Sequence, residues 1–100
     1  MWETLSMLII AGHIQVEPTE RDGYVAECVS IVEAARASVG CIDFAITPDS
    51  VEPGRVNVFE RWQSDEELMS FRGSGPDEGQ KAQILGAQVS KYRISGVEAP

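Results

Sequence analysis

Histidine is almost missing from this 100-residue chain: His13 stands alone, so one subunit cannot assemble a histidine-rich metal site. No HExxH or EF-hand pattern occurs, and Cys28 and Cys41 match neither a zinc motif nor a CxxC redox pair. Both are read as reduced structural thiols, and neither a metal nor any other cofactor is expected. Basic residues are also scarce. The 8 Lys and Arg oppose 16 Asp and Glu, a formal charge of -8 that repels phosphate backbones and anionic bilayers. Neither nucleic acid nor membrane is therefore expected as a partner. The longest apolar run, residues 7–11, falls far short of the roughly 20 residues a membrane helix needs. Residues 1–6 lack a basic region followed by a long apolar stretch, which predicts no secretory signal and a cytoplasmic address.

What is present describes one globular domain. A hydrophobic fraction of 43% is ample for a single core, while the length leaves no room for a second. Residues 1–6 are read as an N-terminal extension and 97–100 as a C-terminal tail. Residues 8–16 are apolar and β-branched, which predicts a strand. Thr19 then caps a helix, with Asp22 three residues on, and Tyr24, Cys28, Ile31, Val32, Ala35 and Val39 form its apolar stripe up to Gly40. Alternation over 41–47, with Ile42, Phe44 and Ile46 on one face, and again over 55–62 predicts a hairpin around the Pro48-Asp49-Ser50 and Pro53-Gly54 turns. Ser64-Asp65-Glu66-Glu67 is a capping box for a helix carrying Leu68 and Phe71. Gly73-Ser74-Gly75-Pro76 breaks that helix, Asp77 with Gln80 caps its continuation through Ala82, Ile84, Leu85 and Ala87, and 89–94 is the last strand.

The order is βαββαβ, an α+β ferredoxin-like plan: a four-stranded antiparallel sheet with both helices on one face. The other face, with Met7, Ile9, Ala11, Ala45 and Phe59, has no third layer to cover it. A second copy of the chain is the expected cover, making a homodimer.

The segment Val58-Phe59-Glu60-Arg61-Trp62-Gln63-Ser64-Asp65-Glu66-Glu67-Leu68 resembles the antibiotic biosynthesis monooxygenase family of dimeric α+β barrels. Its Glu-x-Trp strand end running into a capped Ser-x-Glu-Glu-Leu helix carries the resemblance. The resemblance implies a cofactor-independent monooxygenase that oxidises a small aromatic or polyketide-like phenol or hydroquinone with oxygen. The family's typical histidine, nine residues after the tryptophan, is here Phe71, a ring that can only pack. That departure favours an alternative, a non-catalytic dimeric binding or stress-related module. By resemblance, the first-strand asparagine of the haem-degrading relatives matches roughly at His13, and the asparagine some quinone-forming relatives carry on the same strand as the tryptophan has its nearest counterpart in Asn57. Odd spacing from Trp62 puts Asn57 on the opposite sheet face.

His13 and Glu60 are the candidate catalytic groups: an imidazole that titrates near neutrality, and a carboxylate set between Val58 and Trp62. Each has a plainer reading, as a hydrogen-bonded core histidine and as one half of an ion pair with Arg72 or Arg93. Trp62 and Phe71 are expected at a helix–sheet pocket with His13 near them, Arg72 at its mouth, and Tyr24, Tyr92 and Asn57 as further substrate-binding candidates. The aromatic residues serve equally well as packing.

Overall fold

The computed structural model describes residues 7–73 and 82–100. Strand β1 (Leu8–Gln15) leads through a 3-10 turn (Pro18–Glu20) into helices α1 (Arg21–Glu27) and α2 (Val29–Arg36). The hairpin β2 (Cys41–Pro48) and β3 (Arg55–Trp62), helix α3 (Asp65–Arg72) and strand β4 (Gly86–Arg93) follow. The four strands form one antiparallel sheet in the order β2-β3-β1-β4, the ferredoxin-like arrangement expected.

Strand alternation divides the sheet. Leu8, Ile10 and Ile14 of β1 are buried beneath the helices with Val56 and Trp62 of β3 and Phe44 of β2. One core cluster joins Leu8, Ile10, Ala35, Phe44, Trp62 and Leu68, and a second joins Ile14, Val16, Tyr24, Cys28 and Val56. Ile9, Ala11, His13, Asn57, Phe59, Arg61, Ala45 and Tyr92 take the intervening positions and point to the other face. There Ile9, Ala11, Ala45 and Phe59 remain only half-buried.

Several local expectations change. Thr19 is no cap; it lies exposed in the 3-10 turn, and no side chain caps α1. A tertiary anchor takes over: Arg21 Nη1 donates to the carbonyls of Asp49 (3.1 Å) and Glu52 (2.9 Å), tying the helix start to the β2–β3 turn. The first helix also parts at Cys28, whose amide is shared between the carbonyls of Tyr24 and Val25 and tightens the turn. Val39 leaves the stripe at 82% exposure because α2 ends at Arg36. In β2 a bulge makes Cys41 and Asp43 face consecutive residues of β3, so Ile42 is pushed outward and Cys41 packs on the core instead. The last strand starts at Gly86, which moves Ala87 from the expected helix into the sheet. The Asp77–Gln80 cap falls outside the described residues.

The Ser64 capping box forms as read: its Oγ accepts from the Glu67 amide (3.2 Å) and donates to the Glu67 carboxylate (2.9 Å). Asp49 performs the equivalent service in the hairpin. Its carboxylate accepts from the amides of Val51 (3.0 Å) and Glu52 (2.8 Å) and from Asn57 Nδ2 (2.9 Å). These bonds, led by the Glu52 amide, hold its pKa down at about 2.

Close approach between β1 and β4 depends on Gly12. Its φ of +154° is poorly suited to other residues, and a Cβ there would run into the Gln88 carbonyl. Gly12→Ala should therefore lose ~2 kcal/mol of stability, read as a lower urea midpoint at unchanged slope. An unchanged midpoint would show that β4 can move aside.

Candidate functional site

Glu60 is the one buried charged residue among those described, at 7% exposure. It sits on β3 opposite Ile10 on one side and Phe44 on the other, on the helix side of the sheet. A carboxylate in such surroundings needs partners, and two residues on from it the indole of Trp62 supplies one, its Nε1 donating to Glu60 Oε1 at 3.0 Å. Arg72, from the last turn of α3, forms a long ion pair, Nη2 to Oε2 at 3.8 Å. Burial nonetheless outweighs both, and the Glu60 pKa is raised above its ordinary value.

Above this pair the rings close ranks. Phe71 meets Trp62 at 5.4 Å between centroids and Phe44 edge-on at 5.7 Å. Trp62 is fully buried, so it forms core rather than an open wall. Phe71, where the resemblance implies a histidine, is thus a packing residue.

An open cleft of about 490 Å³ lies on the far side of Ile10, where the described helices leave β4 uncovered. It is lined by Ile10, by Asp65, Leu68, Met69 and Arg72 from α3, and by Val89, Ser90 and Lys91 from β4. The helical members recur at three- and four-residue intervals, which puts them on one face of α3. Arg72 therefore belongs both to the cleft and to the Glu60 pair. Asp65 bridges Lys91 Nζ (3.0 Å) and Arg93 Nη1 (2.8 Å), and these partners, Arg93 first, hold its pKa down at about 2.

The expected site is only partly assembled. Arg72 lines the cleft, and Glu60, Trp62 and Phe71 lie together behind it. His13 does not join them: it pairs with Asn57 and Gln88 at an odd position of β1 and faces away from the helices. Tyr92 shares that outer face at 56% exposure, not the helix–sheet cavity. Asn57 lies there too, as its spacing requires, and is committed to the hairpin turn, accepting from Arg55 Nε (2.8 Å) while donating to Asp49. Tyr24 is buried in the second core cluster beside Cys28, its pKa pushed up to about 12 chiefly by burial. Arg93 pairs with Asp65 rather than with Glu60. The sequence reading missed Asp65, Leu68, Met69, Val89 and Lys91, although the α3 spacing already set Asp65, Leu68, Met69 and Arg72 on one face.

Comparison with known proteins agrees with this architecture. The sequence profile of the antibiotic biosynthesis monooxygenase family matches residues 7–83. A conserved protein from Methanosarcina mazei superposes with a TM-score of 0.74 at 17% identity, covering 94% of this chain and 98% of that one. A protein from Pseudomonas aeruginosa gives 0.75 at 18% identity over 90% and 96% of the two chains. One from Mycobacterium tuberculosis gives 0.72 at 21% over 94% and 98%. At these identities the likeness is one of fold. In sequence, an uncharacterised protein from Synechocystis is 28% identical over 57 residues, 57% of this chain but only 39% of the relative's own length.

The raised Glu60 pKa has a sign that thermal unfolding can check. The unfolded chain releases this proton near 4.5 and the folded chain only at higher pH, so stability falls as pH rises from 4.5 through the folded value. Asp65 and Asp49 act oppositely, since stability is lost as pH drops from 3.8 toward about 2. Glu60→Gln, which keeps an oxygen acceptor for Trp62, should flatten the decline above pH 4.5 and raise the neutral-pH Tm. If the slope persists in that variant, the buried carboxyl is not its source.

Proposed function

Because the chain belongs to the antibiotic biosynthesis monooxygenase family, we propose that it is a monooxygenase that oxidises a small aromatic or polyketide-like phenol or hydroquinone with molecular oxygen in the cleft between α3 and β4. The observation that carries this reading is the buried, basic carboxylate of Glu60, linked to the cleft through Arg72. In this scheme Glu60 takes the proton of a phenol beside Arg72. The phenolate gives an electron to oxygen, the radical pair joins at an open ring carbon as a peroxide anion, and protonated Glu60 returns its proton to make the hydroperoxide. Loss of water then leaves a quinone, one oxygen atom entering the product and the other leaving as water. The electrons come from the substrate itself, so the scheme calls for no cofactor. His13, on the outer face, has no part in the chemistry within one subunit.

A panel of phenols, hydroquinones and anthrones, followed by quinone absorbance and oxygen uptake, tests the reaction. Turnover should rise with pH through the raised Glu60 pKa, and Glu60→Gln should lower kcat about 100-fold with KM less affected and abolish that rise. One observation favours the rival reading, a dimeric binding module without turnover: Phe71 packs on Trp62 and Phe44 where the family places a histidine. Ligand binding with no oxygen consumption across the panel would establish it.

Homodimer formation through the outer sheet face belongs to the same proposal. Half-buried Ile9, Ala11 and Phe59 support it, as does Arg61 Nε, buried there with no hydrogen-bond partner, and members of the family are commonly dimeric. Cys28 and Cys41, neither of them in a disulfide, fit a reducing cytoplasm. Light scattering at micromolar concentration should give twice the chain mass, and Phe59→Glu should dissociate the pair or make it insoluble. A monomeric parent protein refutes this assembly.

A further inference from the structure

The lining of the cleft joins an apolar floor to a cationic rim. Ile10, Leu68, Met69 and Val89 form the floor, and Met69 and Val89 remain 63% and 38% exposed, which leaves apolar surface for a ligand to cover. Arg72 and Lys91 line the rim, and Arg93 follows Lys91 on the same side of β4, on a chain whose formal charge is -8. Among the described residues Asp65 is the one acid in the lining, and it is shared between Lys91 and Arg93. Arg72 is 48% exposed, and its 3.8 Å ion pair with Glu60 is longer than a hydrogen bond. Burial further weakens that pair by favouring the neutral form of Glu60. The guanidinium therefore has donors to offer into the cleft.

We propose that the ligand is an apolar carboxylic acid, its carboxylate held by Arg72 and Lys91 and its hydrocarbon or aromatic body lying on Ile10, Leu68, Met69 and Val89. A guanidinium fork matches a carboxylate with two parallel hydrogen bonds, and Lys91 adds a second positive charge. Because Arg72 also pairs with Glu60, the end of the ligand that carries the acid group lies nearest Glu60, and a phenol next to that acid group is the one within its reach. This inference rests on the cleft being the substrate site and specifies what that site selects.

Calorimetric titration with 2-naphthoate and with its neutral isostere 2-naphthamide separates the two claims. The acid should bind about tenfold more tightly, a difference of about 1.4 kcal/mol. Added salt should weaken the acid and leave the amide unchanged. Arg72→Gln should erase the preference while the amide binds as before. Lys91→Gln, an exposed substitution on the edge strand, should reduce the preference without touching the Glu60 pair. Equal affinities for acid and amide overturn the carboxylate proposal and leave the cleft as a site for neutral aromatics. Binding of neither compound overturns the proposal together with the cleft assignment.

Discussion

The hydrogen bond from the Trp62 indole to Glu60 is the contact on which the rest of this molecule depends. Each group is intolerable in the core without the other. A buried indole N–H or carboxylate left unpaired costs about 1–3 kcal/mol or more, whereas paired they fill the centre of the sheet. The bond fixes the indole, the indole seats Phe71, and Phe71 fixes how α3 lies across β3. That placement turns Asp65, Leu68, Met69 and Arg72 toward β4 and creates the cleft. A single polar pair in an apolar row thus positions both the core and its opening.

Three carboxylates show how environment divides the labour. Asp49 and Asp65 are surrounded by donors and stay charged, one closing the hairpin and the other fastening α3 to β4. Glu60 has one good donor and one distant cation and is driven toward neutrality. Because α3 and β4 are joined at the rim by Asp65 rather than by shared core residues, the space between them stays open.

The sheet was legible in the sequence because period-two alternation, the Pro-Gly turns and the Ser64 box are local signals. The alternation of β3 and the capping of α3 needed nothing else. What escaped was set by distant contacts: Arg21 reaching the hairpin replaced the Thr19 cap, and the β2 bulge exchanged Ile42 for Cys41. For the site, Glu60 with Arg72 could be anticipated from a charge amid apolar neighbours. The grouping of His13 with Trp62 failed because proximity in a sheet also requires matching parity, and β1 offers its even positions to the helices. Lys91 was invisible because its role comes from pairing with β1, 81 residues earlier at Ile10.

The bulge at Ile42 also bears on how copies of the chain can meet. It lies on β2, an outer strand whose edge, unpaired among the described residues, could otherwise recruit the same edge of another molecule. The kink spoils the regular spacing of amides and carbonyls at one end, and Pro48 removes a donor at the other. Ribbon-like growth, which adds strand to strand without limit, is thereby discouraged. Contact through the broad face has a natural stopping point, because two faces laid together leave nothing of the kind for a third.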